Sequence, residues 1–368
     1  MSSANATKET PVIAATEAYE DWLRKRTDVV EADLTYKHEQ MKASLFTFLR
    51  GTYYRWAALW PVACPELVKA PQVLAVGDLH VENFGTWRDL EGRLIWGVND
   101  FDEVATMPYA ADLVRIVTSA MLAKRENGLT IDDDAAAEAV LRGYTQSLEA
   151  GGMPFVLEES HASLRAMAIS AERDPVPFWA KLTKLPSATP PRHLRRLFDK
   201  WLPDDAEDII FVSRIAGVGS LGRPRYVAIA SCNGGLAARE AKAWLPSAWG
   251  WARGKVEDHA YAPRVIRRAV RQSDPYYTVH KKWVRRRLAP HCGRIELTQA
   301  PKHRDEREIL KAMGRETANL HLGTRHRTGK VLRDLSERKP GWLLAAAEAM
   351  SKATKQDWQD FLASTKSA

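Results

Sequence analysis

Between Tyr36 and Trp60 the apolar residues Met41, Leu45, Phe48, Leu49, Tyr53, Trp56 and Leu59 return every three or four places. That spacing predicts one buried helix face, or two helices meeting near Gly51, with Pro61 and Pro65 ending the run. Residues 17–27 predict an earlier helix. The period then shortens. "QVLAV" (72–76) predicts a short buried strand and "RLIWGVNDF" (93–101) a second, with turn chemistry in "DLEGR" before it. The two strands and their linker predict a hairpin-like unit, with Asp78 and Asp100 at neighbouring strand ends. Helical spacing resumes from Tyr109 to Arg125. It dominates 130–202, where "DPVPF" and "SATPPRH" read as breaks.

The texture changes again near 207. Strand-like runs alternate with glycine turns in "DIIFVSRIAGVGSLGRPRYVAIASCNGGLAARE", which predicts an antiparallel sheet over 207–241. A basic helix is expected near 256–272, and two more strands in "YTVHKKWVRRRL" and "GRIELT". From 304 onward the pattern is helical, most clearly in "GWLLAAAEAM". The chain carries no internal repeat and no low-complexity tract. The expected class is α+β. The expected division is a disordered lead-in (1–16), a helical part (17–205 with 304–368) and a sheet part (206–303).

Composition adds limits. A chain of 368 residues with 45% hydrophobic and 27% charged residues can bury a full core. No apolar run approaches the roughly 18 residues a membrane helix needs. The start, "MSSANATKETPVIAA", lacks a basic stretch followed by an apolar one, so no signal peptide is expected. Cys64, Cys232 and Cys292 are odd in number and widely spaced, which fits a reducing cytoplasm and argues against a disulfide framework or structural zinc. The net charge of +8 is concentrated in "RHLRRLFDK" (192–200) and from Arg264 to Arg287. Such stretches are solvated helix faces or attract nucleotides and other anions. Zinc-finger spacing and RNA-recognition signatures are missing, so nucleic acid is not the expected partner.

The stretch "VLAVGDLHVENFGTW" (73–87) carries the candidate chemistry. A Gly-Asp-x-His loop after a strand can feed a two-metal phosphoesterase centre. That centre needs further ligands, normally from Asn-His and His-x-His pairs; the chain has neither, and "HLGTRH" (321–326) has the wrong spacing. Phosphoryl transfer instead needs a carboxylate near the acceptor hydroxyl, oxygen ligands for Mg²⁺, and a backbone cradle and a cation for the phosphates. Asp78 and Asn83 have the D-x-x-x-x-N spacing of a kinase catalytic loop. "VNDFDE" supplies Asp100 after an apolar strand, with Asp102 and Glu103 as further ligands or supports. "GVGSLG" holds Gly217, Gly219 and Gly222 around Ser220. A dinucleotide fingerprint would open a helix there. A strand, "RPRYVAIA", follows instead, as in a phosphate-covering hairpin. Arg239 and Lys242 are the cations of the next strand. An ordinary turn with surface charges stays open as the plainer explanation.

"FLRGTYYRWA", "GDLHVENFG", "VNDFDE", "DLVRIVTSA" and "GVGSLGRPRYV", in this order, resemble the bacterial family known as domain of unknown function 2252. That family is itself similar to protein kinases and to aminoglycoside and choline phosphotransferases. The resemblance implies a two-lobed, protein-kinase-like fold using ATP and Mg²⁺. It makes Asp78 the catalytic base and Asn83 and Asp100 the magnesium ligands. Asp112 would be a buried support of the loop, or else a helix N-cap. His80 would touch substrate or hold the loop, and Arg50 would face phosphate or form an ordinary ion pair. Three departures stand out. Val76 replaces the usual His of the antibiotic kinases. Arg239-Glu240-Ala241 stands where the family has Lys-Glu-Ala, leaving Arg239 or Lys242 as the phosphate cation, with Glu257 as its acidic partner. The glycine hairpin follows the catalytic loop instead of preceding it, which implies circular permutation. The expected function is a phosphotransferase acting on an unidentified hydroxyl of a small molecule or protein. A nucleotide-binding pseudokinase or regulatory module, a metal-dependent phosphoesterase and nucleotidyl transfer are the alternatives.

Overall fold

A computed structural model describes residues 10–158, 161–168, 174–295 and 305–366. The chain opens with four helices: α1 (Val12–Arg24), α2 (Glu31–Ala43), α3 (Leu45–Gly51) and α4 (Tyr53–Ala63). Helix α1 begins inside the segment expected to be disordered. The apolar run from Tyr36 breaks twice, at Thr52 and at Ser44. The Ser44 hydroxyl accepts the Thr47 N–H at 3.1 Å and caps α3. Pro61 does not end α4 but lies inside it.

Four strands follow: β1 (Gln72–Ala75), β2 (Phe84–Arg88), β3 (Leu94–Val98) and β4 (Ala105–Pro108). The expected pairing of the first and third is wrong. Strand β1 pairs with β4, and β3 pairs with β2, both antiparallel. The missed strand, "FGTWR", sits inside what read as a loop. Its glycine and alternating polar residues mask a segment buried on both faces.

Next come α5 (Tyr109–Asn127), α6 (Asp133–Ala150), the short β5 (Phe155–Val156), α7 (Ala162–Ala168), α8 (Pro175–Thr183) and α9 (Arg192–Trp201). "DPVPF" starts a helix where a break was expected. Asp174 caps α8 by accepting the Val176 N–H at 2.8 Å, and Pro175 fits the first turn, where no N–H is needed.

The later sheet comprises β6 (Glu207–Ser213), β7 (Arg225–Cys232) and β8 (Gly235–Ala243). After α10 (Ala248–Trp251) and α11 (Ala262–Arg268), β9 (Thr278–His280) and β10 (Trp283–Leu288) complete it in the order β6-β7-β8-β10-β9. All its strand pairings are antiparallel. Helix α11 covers only part of the expected 256–272. Strand β11 (Gly293–Arg294) leaves this sheet and pairs with β2, so the chain crosses between sheets just after Leu288. The rest of the strand expected in "GRIELT" lies outside the described residues.

Helices α12 (Glu306–His321), α13 (Thr328–Glu337) and α14 (Trp342–Lys366) close the chain. The main apolar core joins α4, α5, α6, α12 and α14 to strands β1 to β5. The five-stranded sheet has two smaller cores of its own. Leu194, Phe198 and Trp201 of α9 cover one face, and Phe178, Trp179 and Leu182 of α8 cover part of the other. Among the described residues no helix is long and apolar enough to cross a membrane, and all three cysteines are free.

Helices α6 and α12 meet backbone to backbone. A Cβ on Gly143 would strike the Lys311 carbonyl oxygen, and one on Gly314 the Val140 carbonyl oxygen. Gly314→Ala is therefore expected to push the helices apart and destabilise the chain by about 1–3 kcal/mol. Urea denaturation measures it; an unchanged midpoint would show that the contact is slack.

Candidate active site

The loop after β1 is held from beneath by one face of α5. Asp112, in the first turn, accepts the Val76 N–H at 2.7 Å and the Gly77 N–H at 2.8 Å. Arg115, three residues on, donates to Asp78 Oδ1 through Nε at 3.1 Å and Nη2 at 2.5 Å. Ser119 accepts the Val81 N–H at 3.0 Å. The spacing of 112, 115 and 119 puts all three on one helix face. Asp112 is thus the buried support that the resemblance implied; Arg115 and Ser119 went unrecognised within "DLVRIVTSA". Their signal was a polar stripe at helical spacing in an otherwise apolar helix. Asp112 is in turn bonded by His321 Nε2 at 3.0 Å, and the other ring nitrogen of His321 meets the Tyr144 hydroxyl at 2.8 Å.

Within the loop, Asn83 donates through Nδ2 to the Asp78 carbonyl at 2.8 Å. Its Oδ1 is buried and has no hydrogen-bond partner among the described residues. His80 is buried, and its Nδ1 accepts the Glu82 N–H at 3.2 Å, so it holds the loop from within. Burial, with Arg50, Arg115 and Arg294 nearby, drives its pKa well below the usual value and keeps the ring neutral. Arg50 forms an ion pair with Glu82 at 2.6 Å on the cavity wall. Burial raises the Asp78 carboxyl against the opposing pull of Arg115.

The second acidic segment follows β3. Asp100 is partly exposed, and its Oδ1 accepts the Asp102 N–H at 3.2 Å. Asp102 Oδ2 pairs with Lys242 Nζ and with Arg223 Nη1 at 3.3 Å, while its buried Oδ1 has no hydrogen-bond partner. Burial alone would raise Asp102, but Lys242 and Arg223 override it and hold the carboxyl at about 2. Glu103 accepts from Arg223 at 3.1 Å and from the Ala248 N–H at 2.7 Å. Burial dominates there and lifts its pKa to about 7.

The glycine turn joins β6 to β7 and comes to the loop. Gly217 and Gly222 have φ of 72° and 89°, a region that favours glycine. Gly219 lies so close that a Cβ there would stand 3.0 Å from the Arg50 carbonyl oxygen and 3.4 Å from Asp78 Oδ2. The Ser220 hydroxyl is occupied inside the turn, donating to the Gly217 carbonyl at 3.2 Å and accepting from Arg225 at 2.8 Å.

Of the two candidate cations on β8, only Lys242 reaches the acids. Side chains alternate along a strand. Even positions of β8 face the acidic segment, and odd ones face α9. Arg239 donates to the Trp201 carbonyl at 2.9 Å and stacks over Tyr276. Glu257 lines a separate cavity of about 150 Å³ beside Trp249 and Tyr261; neither joins the site. The acidic residue beside Arg239, Glu240, instead pairs with Arg214 and Arg225 at 2.7 and 3.0 Å.

Asp78, Asn83, Asp100, Asp102, Gly217 and Gly219 thus line one cavity of about 890 Å³, within the range of small-molecule sites. The buried, unpartnered oxygens of Asn83 and Asp102 have the hardness Mg²⁺ favours. Among the described residues no three His, Cys, Asp or Glu side chains gather to hold a metal.

Glu103 gives this site a pH signature. Its folded-state pKa of about 7, against an ordinary 4.5, means that the fold favours the neutral acid. Its contribution to stability is full below pH 4.5 and is lost as pH rises through about 7. Glu103→Gln should flatten the decline in urea midpoint over that window. Parallel profiles for the two proteins would show that Glu103 is ionised throughout.

No curated protein and no solved structure matches the chain. Residues 26–176, which span α3, α4, the Asp78 loop, the Asp100 segment and α5, match the family described as "Uncharacterized protein conserved in bacteria (DUF2252)".

Proposed function

We propose that the cavity binds a nucleoside triphosphate with Mg²⁺ and transfers its terminal phosphoryl group to a hydroxyl acceptor. The arrangement is kinase-like, with the glycine hairpin encoded after the catalytic loop. One observation carries this reading: Gly219 is packed against Asp78 in a cavity also lined by Asn83 and Asp102, each of which has a buried oxygen without a hydrogen-bond partner among the described residues. Asn83 Oδ1 and Asp102 Oδ1 would hold the metal, with Asp100 beside them. When bound, Mg²⁺ neutralises phosphate charge.

The chain's own residues then divide the work. Arg115 takes one oxygen of Asp78 and fixes the carboxylate plane. The other oxygen, toward the glycine turn, orients the acceptor hydroxyl and takes its proton as oxygen attacks the γ-phosphorus. The bond from γ-phosphorus to the β–γ bridging oxygen breaks, and the diphosphate leaves. Burial raises the Asp78 pKa, which makes it a stronger base than a solvated carboxylate. Backbone N–H groups of the glycine turn cover the phosphates. Lys242 keeps Asp102 ionised, as a carboxylate that would hold Mg²⁺ must be.

The Arg115–Asp78 ion pair favours a second reading, a nucleotide-binding module without turnover, since a carboxylate so held also serves a structural role.

Thermal melting with Mg²⁺ and ATP tests the first step, because a ligand that binds only the folded chain stabilises it by about 2.7 kcal/mol at a hundred times its Kd. Wild type should melt higher, and Asn83→Ala and Asp102→Ala should gain much less. No shift at millimolar ATP would remove the nucleotide reading. Asp78→Asn should keep the shift and lose about 10²- to 10⁴-fold in the rate of γ-phosphate consumption. A wild type that binds nucleotide yet turns over no faster than Asp78→Asn is the binding module.

A further inference from the structure

The wall of the cavity opposite the acids is built from arginine. Strands β7, β8 and β10 set Arg225, Glu240 and Arg286 on one sheet face, Arg286 directly across from Glu240 in the register. Arg214 follows the end of β6. Both oxygens of Glu240 are already taken, Oε2 by Arg214 and Oε1 by Arg225. Arg286 is therefore left over. It lines the cavity, feels Glu240 and Asp100 at a distance, and makes no hydrogen bond or ion pair among the described residues.

Arg286 is half-buried, and its guanidinium lines the cavity open to a ligand there. Its planar fork matches the oxygens of phosphate two at a time. One carboxylate among three arginines leaves an excess of positive charge on this wall, facing acids that suit a divalent cation. We infer that Arg286 anchors a polyphosphate anion. This extends the proposed function, since the anion's identity as a nucleotide tail rests on that reading. Lys242, the lysine of the neighbouring strand, is already engaged by Asp102, which leaves Arg286 as the free cation of this sheet face among the described residues.

Inorganic tripolyphosphate probes the anchor without a nucleobase. By titration calorimetry, wild type should bind it, and Arg286→Gln should weaken binding about 10- to 100-fold. Arg195→Gln, on the exposed side of α9, should stay within about twofold, as a screened surface charge does. Equal effects of the two substitutions, or no binding by wild type, would overturn the inference. Phenylglyoxal labelling of wild type, mapped by mass spectrometry, reads the same contact without a mutation: tripolyphosphate should protect Arg286, and labelling indifferent to it counts against the anchor. Mg²⁺ and ATP form the separate arm. Should ATP bind no more tightly than tripolyphosphate while Arg286 still matters, the anion site stands and the nucleotide reading falls. ATP binding indifferent to Arg286→Gln leaves the nucleotide reading and removes this anchor.

Discussion

The carboxylate of Asp112 is fully buried and stands where the first strand hands over to the loop. A buried charge must be met on every side or it unfolds its surroundings. Two loop N–H groups meet it from above and His321 from below, with Tyr144 holding the far side of the imidazole. Each partner comes from a different element, so the position of Asp112 fixes β1, α5, α6 and α12 together. The pairing of β1 with β4 follows from this need, because β4 runs directly into α5 and so carries Asp112 to the end of β1. The backbone contact between α6 and α12 follows too, since Tyr144 and His321 must come within hydrogen-bond reach.

A second set of ion pairs ties the later sheet to this frame. Lys242 and Arg223 reach across to Asp102 and Glu103, residues that precede them by more than a hundred positions. These charges are nearly enclosed, so their attraction is poorly screened and depends on geometry. The result is a cavity with unlike walls: carboxylates and an amide from the first part of the chain, arginines from the sheet, and a glycine turn between them. Separation of this kind suits a ligand that brings both signs, an anion accompanied by a metal.

Local periodicity carried much of this in the sequence. The apolar repeat of α5 and the strand character of β1 and β3 were legible. So was the glycine turn between two strands, because each depends on residues close in the chain. The spacing of Asp78, Asn83 and Asp100 was legible for the same reason. Strand partners were not, since β1 and β3 are equally apolar and nothing local distinguishes β3 from β4 as the mate of β1. The choice between Arg239 and Lys242 turned on strand parity, which becomes decidable only once the register with β7 and β10 fixes which face meets α9. Arg115 was hidden because an arginine in a helix normally reads as surface, and its burial shows only when the loop is laid over it. Ser44 ended a helix that apolar spacing alone would have continued.

The unpartnered oxygens bear most directly on what the cavity is for. Buried acceptors without a donor are rare in folded chains, and each costs about 1–3 kcal/mol. Most buried side-chain atoms here without a hydrogen bond are N–H donors of arginine and tryptophan. Of the carboxylate and amide oxygens among them, Asp133 Oδ1 already has Lys124 at 2.7 Å. The other two, from Asn83 and Asp102, both belong to residues lining the same cavity. Chance would scatter such atoms over the core. Their occurrence in two residues of one cavity lining, which Arg286 also shares, is the feature on which the proposed ligand site rests.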